Sequence, residues 1–115
     1  MAEFTGAHVE LGISVKTGGS DLFYPIWSET IAPGGTTTQE AKGNPELRGI
    51  AQAGVLVFRV RANSAGPVFI AKGKTPDATK VVSSGANSAR SHLLASELRD
   101  LPAIPGDKIH NVAAA

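Results

Sequence analysis

Two runs of strict alternation constrain this chain most. In residues 9–15, Val9, Leu11, Ile13 and Val15 alternate with Glu10, Gly12 and Ser14. In residues 55–62, Leu56, Phe58, Val60 and Ala62 alternate with Val55, Val57, Arg59 and Arg61. A period of two sends every second side chain to one face of a strand, so each run reads as a strand with one face in a core. The other face of 55–62 turns charged at its far end, as a strand does where it emerges into water. Between such runs the chain is dense in turn formers, with 13 Gly and 7 Pro in 115 residues. No helical periodicity of ten residues alternates with the strands. The pattern is roughly six to eight short strands at spacings of about ten residues. It predicts an all-β fold: a single compact antiparallel β-sandwich or small barrel, jelly-roll-like, spanning residues 1–115 as one domain.

Other segments fill in this frame. Residues 17–21 read as a turn. Residues 22–32 are rich in aromatic and β-branched types, which favour a strand. Pro25 inside it cannot donate to a ladder, which predicts an edge strand or a bulge. Residues 33–46, with three consecutive Thr, read as a loop that has room for one short strand. Residues 68–72 return after the turn at 63–67, so 55–72 is expected to be a β-hairpin that brings Lys72 close to Val57. Residues 78–82 read as a short strand, and 83–91 as a small polar loop. Residues 92–101 allow one helical turn, because Leu94 and Leu98 stand four apart. A last strand is expected near 108–112. The core face is expected to hold Val9, Leu11, Ile13, Leu56, Phe58, Val60 and Ile109.

Composition excludes several chemistries. There is no Cys, so disulfides, thiolate metal sites and a Cys nucleophile are impossible. Zero Cys fits a reducing compartment. Net charge is +1, too small to draw the chain to nucleic acid or an anionic membrane. No run approaches the about 18 apolar residues of a membrane-spanning helix. The N-terminus lacks the basic start and apolar stretch of a signal peptide.

The candidate chemistry is thin. Gly73, Lys74 and Thr75 suggest a phosphate loop, but the motif needs its first Gly where Val68 stands. His8, His92 and His110 are not at metal-ligand spacing. His92 with Ser91, Ser96 and Asp100 has the letters of a hydrolase triad, without the Gly-x-Ser-x-Gly elbow. Paired carboxylates and a calcium loop find no pattern to rest on. No catalytic residue, metal ligand or cofactor is assigned. Arg59, Arg61, Lys72 and Lys74 could form a basic patch across the expected hairpin, with Phe58 and Phe69 interleaved, but the low net charge argues against nucleic acid. Phe23, Tyr24 and Trp27 form the densest aromatic cluster. They read either as core or as a subunit interface on an edge strand, where Trp and Tyr are enriched. On the interface reading, Trp27→Ala is expected to impair assembly more than folding.

The second half of the chain resembles small virion-associated proteins of tailed bacteriophages. The residues that carry this are the strand and turn from Val57 to Lys72, the turn with Pro76, Asp77, Ala78 and Thr79, the segment His92-Leu93-Leu94-Ala95, and the final Gly106-Asp107-Lys108-Ile109. Leu94 departs from the Leu-Pro-Ala expected there. The resemblance implies a non-enzymatic structural role, decorating or stabilising the capsid. It implies a homo-oligomer, a trimer among the forms, in contact with the major capsid protein or another virion protein. Location would then be the virion, assembled in the bacterial cytoplasm. The alternative is a stand-alone module that binds carbohydrate or a host surface through exposed aromatics and loops.

Overall fold

The computed structural model describes residues 4–17, 20–43 and 54–114. Residues 18–19 of the expected first turn and 44–46 of the expected loop lie outside them. The described residues form seven strands and no helix: β1 (Ala7–Thr17), β2 (Ser20–Ile31), β3 (Val55–Ala62), β4 (Val68–Gly73), β5 (Ser91–Leu93), β6 (Leu98–Pro102) and β7 (Lys108–Ala113). They make two antiparallel sheets, ordered β2-β1-β3-β6 and β5-β4-β7. The all-β expectation holds. Seven strands in a four-plus-three arrangement are one short of the eight-strand double Greek key of a jelly roll.

One core joins the sheets. Val9, Leu11, Trp27, Phe58 and Val60 from the first meet Val68, Ile70, Leu93 and Ile109 from the second, all buried. Trp27 packs edge-on against Phe58 at 6.2 Å between ring centroids. The thin dimension of the molecule is 24 Å, which fits two sheets about 10 Å apart with outward side chains on each. The alternation in β1 and β3 is realised as expected: Val9, Leu11, Ile13, Phe58 and Val60 are buried, and Leu56 packs against them half-buried.

Pro25 has the effect its chemistry demands. β2 is an edge strand, and its register with β1 slips between Leu11 and Gly12. Leu11 pairs with Trp27 but Gly12 pairs with Pro25, so Ile26 is the extra residue of a bulge. Ile26 and Trp27 therefore both reach the core side.

Three expectations are corrected. Residues 55–72 are not a hairpin. β3 pairs with β1 and β6 while β4 pairs with β5 and β7, so residues 63–67 cross from one sheet to the other. Phe58 and Val60 on one strand and Val68 and Ile70 on the next cover each other across the core instead of lying side by side. Asn63 shapes the crossing: its Oδ1 accepts from the N–H groups of Ala65 and Gly66 at 2.9 and 3.1 Å, and its Nδ2 donates to the Gly6 carbonyl at 2.8 Å. Residues 92–101 contain no helical turn. They are β5 and β6, joined by a turn in which Ser96 takes a left-handed φ of 63°, and Leu94 and Leu98 stay exposed. Residues 78–82 are not a strand. Ala78 is buried, and its N–H donates to His110 Nδ1 at 2.8 Å.

The Thr-rich segment is ordered by β7. Thr37 N–H donates to the Ile109 carbonyl at 2.9 Å, and Thr37 Oγ1 accepts from the Ile109 N–H at 3.1 Å. Asn111, fully buried, donates through Nδ2 to the carbonyls of Ala32 and Gly35. The segment thus lies along the free edge of β7 with side chains standing in for part of a ladder.

Candidate interaction face

The bulge divides the aromatic cluster. On the Ile31 side of it, Trp27 faces inward, 9% exposed, with its indole N–H donating to the Glu40 carbonyl at 3.0 Å. On the other side, Tyr24 pairs with Ile13 on the inner face and Phe23 with Ser14 on the outer one. Phe23, Tyr24 and Trp27 are therefore not one surface, and Trp27 belongs to the core. The Phe23 ring lies over Gly12, where an added Cβ would come within 2.5 Å of its tip. Only glycine leaves room for that ring.

What the sequence presents outward is the far side of the first sheet. Its register gives cross-strand rows: Thr30, His8, Arg61 and Leu98, then Ser28, Glu10, Arg59 and Asp100. A third row holds Pro25, Gly12, Val57 and Pro102, and a fourth Phe23, Ser14 and Val55. Apart from Leu98 the first two rows are polar. Arg59 forks onto Asp100, Nε to Oδ1 at 2.9 Å and Nη2 to Oδ2 at 3.1 Å, and its guanidinium also stacks on Phe23 at 4.1 Å. Arg61 donates to the Ser96 carbonyl at 3.2 Å. Apart from Ser14 the last two rows are apolar, with Pro25 and Pro102 exposed and Val55 64% exposed. An apolar half bounded by a charged half is the anatomy of a contact patch and its rim.

His8 stands in the polar half. Its Nδ1 is 2.8 Å from Thr30 Oγ1, and its Nε2 is 3.7 Å from Glu10 Oε2. The second distance exceeds a hydrogen bond, so the imidazole is not held between hydroxyl and carboxylate as a proton relay requires. The other histidines lie elsewhere: His92 is paired with Phe69 and His110 with Ala71, on the outer face of the second sheet. Asp100 is on the opposite side of the molecule from His92, so the triad letters never meet. Among the described residues no three His, Asp or Glu side chains gather as metal ligands. The expected basic patch is also dispersed. Arg59 and Arg61 belong to the first sheet, whereas Lys72 of the second is turned to Asp107 at 3.3 Å.

Two turn carboxylates are held below their ordinary range. Thr79 hydroxyl and N–H both donate to Asp77, at 2.6 and 3.0 Å, and lower its pKa. The Leu94 N–H at 2.8 Å, followed by Arg99 at 2.6 Å, does the same for Glu97.

Comparison with known proteins gives no match: no family model, no curated protein and no solved structure aligns with the chain.

Proposed function

We propose that this chain is a non-enzymatic structural protein that assembles through the apolar half of its first sheet's outer face. The setting we propose is the virion of a tailed phage, with contacts to a second copy and to the major capsid protein. The observation that carries the reading is the outward run of Phe23 and Pro25 on β2, Val55 and Val57 on β3 and Pro102 on β6, with only Gly12 and Ser14 of β1 between them. The resemblance of the second half of the chain supplies the virion setting. A lasting contact on this face needs about 1,000 Å² of buried surface, so the charged rows would join it as rim. The carbohydrate-binding alternative draws less support. All six aromatic residues are buried or half-buried, so no fully exposed ring stands ready for a sugar to stack on.

The test has two arms. Purified virions are analysed for this chain by quantitative mass spectrometry, and a fixed high ratio to the major capsid protein is expected. In the second arm, Val57→Glu is compared with the parent by sedimentation and urea denaturation. The parent should be oligomeric and the variant monomeric, and the variant's unfolding midpoint should match the parent's at dilutions where the parent has dissociated. A monomeric parent that is absent from particles would remove the proposal, and saturable glycan binding by that monomer would install the alternative.

A further inference from the structure

The arginines among the described residues differ in one respect. Arg59 holds Asp100, Arg61 holds the Ser96 carbonyl, and Arg99 holds Glu97. Among the described residues no oxygen accepts from the Arg90 side chain. Its guanidinium carbon lies 3.8 Å over the centre of the Phe69 ring, and that stacking is the contact that places it. His92 stands against the same ring, with centroids 5.2 Å apart and planes inclined by 57°. Phe69 and His92 are register partners on β4 and β5, facing outward from the second sheet. Arg90 itself is fixed at its backbone, where its N–H donates to the Lys80 carbonyl at 3.2 Å.

The acidic groups nearby are already engaged. Asp77, on the same connection as Arg90, accepts from both donors of Thr79. Glu97, whose field reaches His92, accepts from Leu94 and pairs with Arg99. Stacking holds a guanidinium in place without committing its N–H groups to an oxygen. That is the arrangement in which a planar fork reads a carboxylate through two parallel hydrogen bonds, with less ordering left to do on binding.

We propose that Arg90, held over Phe69 beside His92, is a docking point for a carboxylate on an acidic segment of a protein partner. It lies on the sheet opposite the apolar face and does not depend on the assembly reading of that face. Lys80 lies in the field of Asp77, so the sign of the partner is set by Arg90, which has no carboxylate partner among the described residues.

The test titrates the ¹⁵N-labelled full chain with a hexaglutamate peptide at low ionic strength, following the Arg90 Nε–H and the His92 ring by NMR. Saturable shifts of both are expected. Arg90→Ala should abolish the shift of the His92 ring. Arg90→Lys, which keeps the charge and loses the fork, should weaken binding about tenfold, the equivalent of one charge-assisted hydrogen bond. Phe69→Leu, which keeps Arg90 and removes its platform, should also weaken it. Inorganic phosphate serves as the competing probe. Non-saturable shifts, equal binding by Arg90→Ala, or tighter binding of phosphate than of the peptide would each overturn the proposal.

Discussion

Replacing Trp27 by alanine removes both the ring that packs edge-on against Phe58 and the donor to the Glu40 carbonyl. Loss of a buried Trp costs about 3–5 kcal/mol, so Trp27→Ala should lower the urea midpoint steeply in the monomer. Trp27→Phe keeps an aromatic ring and loses the indole hydrogen bond, worth about 1 kcal/mol, and should fall between. This reverses the expectation that Trp27 matters more to assembly than to folding. Phe23, Tyr24 and Trp27 lie within five consecutive residues, which is why they read as one cluster. The extra residue Ile26 shifts the phase and sends Phe23 outward and Trp27 inward. Pro25 was the one visible sign, since a residue without an N–H marks where a ladder can slip. The placing of Arg90 had no such sign, because residues 83–91 read only as a small polar loop.

At the scale of the element, strands were legible wherever one face is core and the other is solvent, as in β1 and β3. The connections were not. Whether two consecutive strands pair or face each other depends on what else can pair with each, and nothing within residues 55–72 reveals that β6 lies forty residues further on. The segment beside β7 was hidden for a similar reason: Thr37 and Asn111 substitute side-chain groups for ladder partners, which leaves no alternation to count. Two turns carry a testable pH dependence. Asp77 and Glu97 have pKa values depressed on folding, so the folded state favours their ionised forms. Their contribution is present above the unfolded values of about 3.9 and 4.3 and is lost as pH falls through the lower folded ones. The unfolding midpoint should therefore drop on acidification below about pH 4. The double variant Asp77→Asn/Glu97→Gln should be less stable than the parent near neutrality and show a shallower acid limb. Identical slopes in parent and variant would show that other carboxylates carry the effect.

The whole molecule is tied together at one end by the crossing between the sheets. Asn63 binds the Gly6 carbonyl through both its N–H and its side chain, and the Ala114 N–H donates to the Pro67 carbonyl at 3.1 Å. Thr5, Gly6 and Ala113 line one cleft of about 260 Å³ with residues of that crossing. A circular permutant that joins the ends by a short Gly linker and opens between the exposed Val82 and Ser83 should keep the two-sheet fold. Its stability should stay within about 2 kcal/mol of the parent, the scale of a modest change in loop closure, as read by circular dichroism and urea titration. A permutant that does not fold would show that the uncut connection from β4 to β5 is needed to seat Ala78 on His110. The same crossing also determines how the protein would respond to tension. Its first strand starts, and its last strand ends, beside residues 63–67, but in different sheets. A pull on the two ends would draw β7 off β4 from Ala113 backward, breaking one rung at a time. Resistance along that axis would come from single hydrogen bonds in series, with the hold of Asn63 on Gly6 the first to be loaded on the N-terminal side.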